Sequence, residues 1–384
     1  MTRIMTGQSV LVFRKRLLPY SETFIAAQGT ALRTLQPVFV GFTREPGGYD
    51  YLGDASVLLH SKLARCAPLS RTLMRISGRV SPRWLRAMAS TDPALIHAHF
   101  GRDALAALPI VDRLGIPLVT TFWGFDITTN ETRSRYARNR PRVFARAAVV
   151  VACSRFIRDQ LIAKSCPPEK IVVHHVGIDL ERFSGAPDQP REPRVLFVGR
   201  LVPKKGVEHL IRAMARIQDR HPAAELVVAG DGPLRRDLER LAASELRRFR
   251  FLGRQTPSQV QAVMNSAQVS CVPSVVAPSG DAEGLPLVVL EAMAMELPVI
   301  SFAPGGVTDA IVDGETGFLA PERDEEALAV HLDRALGDPE LCRRMGEAGR
   351  ARVRDDFDLR KQTAKLEEIY REVLAAEADQ TRLV

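Results

Sequence analysis

The 384-residue chain has no apolar run approaching the roughly 18 residues that cross a bilayer, so no membrane-spanning helix is expected. Cysteine is scarce. Cys66, Cys153, Cys166, Cys271 and Cys342 are odd in number, widely scattered and never spaced Cys-x-x-Cys. That pattern indicates neither a zinc site nor a disulfide framework, and a reducing cytoplasm is the expected compartment. Internal repeats and low-complexity segments are missing, which excludes a repeat array. A basic stretch ahead of the first apolar run is missing too. The run Ser9–Phe13 is instead closed by Arg14-Lys15-Arg16, so it reads as a first strand and not as a signal peptide.

What is present is an ordinary globular composition, 46% hydrophobic and 26% charged, in a chain long enough for two domains. The net charge of +8 is unevenly spread. Residues 1–185 carry 26 Lys and Arg against 13 Asp and Glu, while the remainder carries 27 against 32. A basic half beside a mildly acidic one predicts that the first half faces something anionic. Arg71, Arg75 and Arg79 recur every four residues with Leu73, Met74, Ile76, Val80 and Trp84 interleaved. A second cluster runs through Arg133, Arg135, Arg138, Arg140, Arg142 and Arg146. A cationic amphipathic helix carrying Trp suits the anionic inner leaflet of a membrane. A solvated arginine-rich face is the other reading. Nucleic acid is not expected, because no reading motif accompanies the charge.

Short Val/Leu/Ile-rich runs alternate with helical patterns from end to end. Strands are expected at Val10–Phe13, Pro37–Phe42, Leu95–His99, Leu118–Phe122, Ala148–Cys153 and Ile171–His175. In the second half they fall at Val195–Val198, Glu225–Ala229, Phe249–Leu252, Val269–Val272 and Pro298–Phe302. Continuous apolar runs of this length fit parallel strands covered on both faces. The expected fold class is α/β, with two Rossmann-like doubly wound domains. The first spans 1–185 and the second 190–355, joined through the proline-rich stretch 184–193. Residues 356–384 form a final helix, with Leu359, Leu366, Ile369, Tyr370 and Val373 at roughly helical spacing.

Two stretches carry chemistry. Gly199-Arg200-Leu201-Val202-Pro203-Lys204-Lys205-Gly206 follows a strand and precedes a helix. Anions bind at the carboxyl ends of such strands, where free N–H groups and the helix dipole also favour negative charge. Arg200 offers a planar fork and Lys205 a point charge to a diphosphate. Glu283-Gly284-Leu285-Pro286-Leu287-Val288-Val289-Leu290-Glu291 places two carboxylates eight positions apart around a helix start. A carboxylate accepting two hydroxyls is a good ribose clamp. Together the cations and carboxylates suit a nucleoside-diphosphate sugar and predict glycosyl transfer.

Other groups are weaker pointers. Gly230-x-Gly232-x-x-Arg235 lacks the third glycine of a dinucleotide fingerprint, and no acid follows the next strand, so NAD is not expected. Asp356-Phe357-Asp358 matches a metal-binding Asp-x-Asp in form, but it precedes the last helix, where acidic capping explains it. No His/Asp/Cys cluster replaces it, so metal-independent chemistry without a cofactor is expected. His99 ends a strand and reads as an acceptor-side group. His97 and the His174-His175 pair read as structural.

The order and spacing of Gly199 to Gly206, Gly230-Asp231-Gly232-Pro233-Leu234, Phe251-Leu252-Gly253, Glu283 to Glu291 and Gly305-Gly306 resemble the retaining GT4 glycosyltransferases of the GT-B fold. The first half adds Ser21-Glu22-Thr23-Phe24-Ile25, His97-Ala98-His99-Phe100 and Val176-Gly177-Ile178-Asp179. Ser21 to Ile25 and Gly280 to Pro286 resemble the branch that builds bacterial exopolysaccharides such as colanic acid. The resemblance implies two domains facing a cleft, with the last helix returning to the first domain. It implies that Arg200 and Lys205 hold the donor diphosphate and that Glu283, with the amides of Gly284, Leu285 and Leu287, meets the donor sugar and phosphate. Glu291 would clamp the ribose, and Gly230, Gly232 and Arg254 would lie near a uracil or guanine base.

It further implies retention of configuration and a lipid-linked saccharide acceptor met at the membrane's inner face. Glu22, His99, Trp123 and Asp126 would lie on that acceptor side. The chain departs from many relatives at two places. Pro19-Tyr20-Ser21-Glu22 stands where a Gly-Gly loop is common, and Trp123-Gly124-Phe125-Asp126 where His-Gly-x-Asp is common. Trp123 either stacks on a sugar or joins an aromatic cluster with Phe122 and Phe125. These departures keep open a second reading, a sugar-nucleotide-binding scaffold or sensor in a polysaccharide-assembly complex.

Overall fold

A computed structural model describes residues 7–17, 19, 22–44, 52, 54–63, 67–185 and 190–382. Met1 to Thr6, Tyr20, Ser21, Cys66 and the middle of the expected linker, 186–189, lie outside the described residues. The chain divides into two compact units. One gathers the chain up to Ile127, Glu131–Gly177 and the segment from Leu359 onward; the other holds Thr128–Asn130 and Ile178–Asp358.

The first unit is built on a seven-stranded parallel sheet: β1 Ser9–Leu17, β2 Gln36–Arg44, β3 Ser56–Leu59, β4 Pro93–His99, β5 Leu118–Phe122, β6 Ala147–Ala152 and β7 Ile171–Val173. Their order is β3-β2-β1-β4-β5-β6-β7. In register, Val12 lies opposite Phe39 on one side and His97 on the other. Val10, Leu11, Leu95, Ile96, Val119 and Val151 are fully buried, which is why these strands carry continuous apolar runs and do not alternate.

The final helix, Leu359–Arg382, completes this unit's core with Leu366, Ile369, Tyr370 and Val373. Polar contacts fix its seat. Tyr370 Oη lies 2.6 Å from His97 Nδ1, and His97 Nε2 lies 2.7 Å from Thr121 Oγ1. Glu367 accepts from the backbone N–H groups of Arg33 and Thr34 and from the Thr34 hydroxyl, at 2.6–2.7 Å.

The second unit repeats the plan with six parallel strands: β8 Glu192–Val198, β9 Glu225–Ala229, β10 Phe249–Gly253, β11 Ala267–Val272, β12 Val299–Phe302 and β13 Gly317–Ala320. Their order is β10-β9-β8-β11-β12-β13. The amphipathic helix Val207–Ile217 packs Val207, Leu210, Ile211, Met214 and Ile217 into the core. Two edges of the units differ from the sequence-based expectation. The second unit starts at Ile178, before the proline-rich stretch, because Ile178 N–H donates to Phe357 O at 2.7 Å and Ile178 bridges Asp358. The last helix begins at Leu359, because Asp356 ends the preceding helix and pairs with Arg352.

Candidate functional site

Across the second sheet the strand order reverses between β8 and β11. In open α/β sheets a crevice for ligands forms there, beyond the carboxyl ends of the strands. Four turns gather at this end: Gly199–Gly206 after β8, Gly230–Gly232 after β9, residues 273–286 after β11 and residues 303–306 after β12. Backbone contacts lock them together. Leu201 N–H donates to Asp231 O, Val275 N–H to Lys204 O and Gly306 N–H to Glu283 O, at 2.8–3.2 Å. The approach is close enough to require glycine. Gly230 has φ 152°, and a Cβ there would lie 1.8 Å from Gly199 O.

This packing brings the two sequence motifs face to face. Lys205 Nζ lies 3.1 Å from Glu283 Oε1, and Lys204 Nζ 3.4 Å from the same oxygen. Lys204 also meets Asp281 Oδ1 at 3.1 Å. Burial would raise the Glu283 carboxyl, but the two ammonium groups outweigh it and hold it down at about 2. Lys204 is held above the ordinary lysine value: burial opposes its charge, and Glu283 and Asp281 overcome that. Arg200 is exposed in the same turn, with no ion pair among the described residues.

Glu291 sits in the second turn of the helix Leu287–Ala294, partly buried. Burial pushes its carboxyl up to about 7 against the opposing pull of Arg182 and Lys205. The backbone N–H groups of Gly284, Leu285 and Leu287 donate to no group among the described residues. The site thus offers fixed cations, open amides at a helix start and two carboxylates whose proton affinities are driven apart. Arg254 follows β10 and is exposed. Its strand is tied to the glycine turn by Gly230 N–H donating to Gly253 O at 2.8 Å.

The residues expected on the acceptor side all belong to the first unit, His99 as the last residue of β4 and the others beyond the ends of β1 and β5. His99 is buried between two rings, stacked on His97 at 4.2 Å and on Trp123 at 5.9 Å. Burial, then His97 and Arg14, hold its imidazole neutral, well below the usual value. His99 Nδ1 and Trp123 Nε1 have no hydrogen-bond partner among the described residues. Trp123 does enter an aromatic cluster, but with Phe24 at 4.6 Å, His99 and Phe100. Of the expected partners, Phe125 joins the cluster through Phe100, while Phe122 packs instead on Phe144.

Glu22 and Asp126 are engaged by their own chain. Glu22 takes two bonds from the Arg14 guanidinium, at 2.8 and 2.5 Å, and Arg14 also pairs with Asp103. Asp126 accepts from the N–H groups of Gly101, Trp123 and Gly124 at 2.8–3.1 Å, using both oxygens. That staple shapes the turn after β5 and leaves Asp126 buried. Burial raises its carboxyl against these N–H bonds.

A profile described as Glycosyltransferase Family 4 matches residues 22–182, and one described as Glycosyl transferases group 1 matches residues 181–352. The alpha-D-kanosaminyltransferase of Streptomyces kanamyceticus is 30% identical over 306 residues, 73% of this chain and 78% of that protein. The chain belongs to glycosyltransferase family 4. Among its family 4 relatives is the putative colanic acid biosynthesis glycosyltransferase WcaL of Salmonella typhimurium, 32% identical over 61% of this chain. The chain spans only 59% of that relative's length. The crystal structure of Anabaena HepE in complex with UDP and glucose superposes with a TM-score of 0.77 at 18% identity, covering 94% of this chain and 99% of that one. That likeness establishes the GT-B fold.

For this family 4 chain, sequence reasoning passed over Lys204, Asp281 and Arg182. Lys204 and Asp281 stood inside quoted motifs, and only the packing of two turns pairs them. Arg182 lies more than 100 positions from Glu291 and left no local signal.

The two glutamates give opposite contributions to stability against pH. Glu283, held at about 2 against 4.5 for a free side chain, stabilises the fold above pH 4.5, and this is lost as pH falls through 2. Glu291, raised from 4.5 to about 7, contributes fully below pH 4.5, and its contribution is lost as pH rises through 7. A shift of this size corresponds to about 3 kcal/mol. Glu291→Gln is therefore expected to gain stability relative to the wild type between pH 5 and pH 8. Thermal melts of both proteins at the two pH values check this, and equal differences at both would remove the raised carboxyl.

Proposed function

We propose that the chain transfers a hexose from a UDP- or GDP-linked donor to a lipid-linked saccharide acceptor during bacterial exopolysaccharide or capsule assembly. The observation that carries the reading is the convergence of Lys204 and Lys205 on Glu283 at the reversal of strand order, with Arg200 and open amides beside them. The UDP held by HepE and the polysaccharide role in the name of WcaL support the donor class and the pathway.

In this reading the donor diphosphate meets Arg200, Lys205 and the amides of Gly284, Leu285 and Leu287. Glu283 orients the sugar, Glu291 accepts the ribose hydroxyls, and Gly230, Gly232 and Arg254 flank the base. The bond from the anomeric carbon to the diphosphate oxygen breaks as negative charge grows on that oxygen, where Arg200 and Lys205 stabilise it. The acceptor oxygen forms its bond on the face the diphosphate leaves, and its proton passes to the departing phosphate. That course retains configuration without a protein nucleophile and needs neither metal nor cofactor. His99 and Trp123 serve the acceptor side, and work at the inner face of the membrane would give the chain access to its lipid-linked substrate.

Glu291→Ala is expected to raise the donor KM by roughly 10- to 100-fold, the value of one to two charged hydrogen bonds, with kcat much less affected. Initial rates with radiolabelled donor measure this, and a wild-type KM would take Glu291 out of the ribose site. The scaffold reading rests on Trp123 standing where many relatives carry histidine. Hydrolysis of the donor on incubation, followed as free sugar, is expected for the enzyme and not for a scaffold.

A further inference from the structure

The helix Ala67–Ser77 of the first unit carries an apolar stripe that is exposed among the described residues. Leu69, Leu73 and Ile76, at i, i+4 and i+7, are 60%, 45% and 77% exposed, while Met74 anchors the helix from the buried side. Of six large apolar side chains exposed among the described residues, these are three. The two chain segments at the stripe carry charge of one sign, and the nearby Asp112 is paired with Arg146. Residues 55–91 contain seven Lys and Arg and no Asp or Glu, and residues 132–158 contain eight Arg and no Asp or Glu.

The two basic stretches meet in space, where the Arg135 guanidinium donates to Arg75 O at 2.5 Å. Arg71, Arg75 and Arg79 have no carboxylate partner among the described residues, whereas Arg194 pairs with Glu192 and Glu225, and Arg343 with Glu340 and Glu347. Beside the stripe lies an open hollow of about 420 Å³, walled by Leu69, Leu73 and Pro82 and edged by Arg79 and Arg113.

We propose that this face is a docking surface for an anionic lipid bilayer. Leu69, Leu73 and Ile76 enter the acyl boundary, and Arg71, Arg75, Arg79 and the Arg135–Arg146 helix meet lipid phosphates. Apolar side chains beside Arg71, Arg75 and Arg79, which have no carboxylate partner among the described residues, match the interface of an anionic leaflet on both counts. Nucleic acid would engage the arginines but leave the Leu/Ile stripe in water. A second copy of the chain would bring two positive faces together. The hollow is sized for a phosphodiester headgroup, with the apolar wall taking the first methylenes of its chains. This names the membrane contact of the reading above and rests on it for purpose only, since vesicle binding needs no donor and fails or succeeds independently of sugar transfer.

Flotation of the full chain tests the surface, using phosphatidylcholine vesicles with and without about one third phosphatidylglycerol. The wild type is expected to float with the anionic vesicles only, and to be released by high salt. Replacing Leu69, Leu73 and Ile76 together by Ser is expected to lower the bound fraction roughly tenfold or more, with an unchanged melting temperature because all three are exposed. Arg71→Gln, Arg75→Gln and Arg79→Gln together should do the same, while Val330→Ser, exposed in the second unit, should not. The proposal is overturned if the wild type ignores anionic vesicles or if the serine variant binds them as well as wild type. Sedimentation showing a vesicle-free dimer that the serine variant dissolves would overturn it equally, by assigning the stripe to self-association.

Discussion

An Arg200→Ala, Lys205→Ala double variant is expected to lose sugar transfer by about a thousandfold or more while staying folded. Removing one fixed donor from a developing oxyanion costs about 10²–10³ in rate, and this variant removes two charges at once. The fold should survive because Arg200 is exposed and Lys205 has a single ion pair among the described residues, at the rim of the sheet. Lys204 remains 3.4 Å from Glu283, so the carboxylate is not abandoned in the site. With its largest opposing charge gone, the Glu283 carboxyl should titrate higher than about 2, moving any acid limb of the rate profile upward. Turnover with labelled donor, beside circular dichroism and a thermal melt, gives the result. Activity within tenfold of wild type would remove the cationic cradle from the mechanism.

Gly206→Ala is expected to damage stability and turnover together. Gly206 has φ 60°, and a Cβ there would lie 2.0 Å from Pro273 O. The left-handed conformation alone costs an ordinary residue about 1–3 kcal/mol. The contact adds a displacement, because the turn with Lys204 and Lys205 and the loop running to Glu283 press together at that atom. Pushing them apart separates the ion pairs, and a misplacement of about 1 Å is enough for a loss near 10²-fold.

Gly206→Asn should fare no better, since asparagine tolerates the backbone angle but keeps the Cβ. Gly314→Ala supplies the contrast. Its φ is 76°, but nothing lies within 4 Å of the added carbon, so about 1–2 kcal/mol and no loss of activity are expected. Melting temperatures and turnover of the three variants separate the two effects, and a fully active Gly206→Ala would show that the turns are not held by that contact.

The parallel strands beside the site were legible because burial on both faces writes itself into the chain as runs such as Val195–Val198 and Val269–Val272. Among the short edge strands, Ile171–Val173 was legible from its unbroken Ile-Val-Val run, whereas Ser56–Leu59 and Gly317–Ala320, which open on Ser and Gly, were not. Within the site, Arg200, Lys205, Glu283 and Glu291 stand at turn and helix starts, where charge has a local meaning. The partnership of Lys204 with Asp281 spans 77 positions, and only the strand order brings those turns together. Arg14 with Asp103 is the same case across 89 positions. The backbone contacts of Asp126 were hidden for a different reason. A short acidic side chain beside glycine can turn back on its own backbone, and the motif alone does not distinguish that from facing a ligand.

The first sheet owes part of its core to Leu366, Ile369, Tyr370 and Val373. On the ribosome, β1 to β7 emerge first, then every strand of the second unit, and only then this closing helix. The unit begun earliest is therefore finished last, inverting the usual order in which amino-terminal domains mature during translation. A nascent chain halted before Leu359 would hold a complete second unit beside a first one whose apolar face is still bare, the stage at which chaperone capture would matter most.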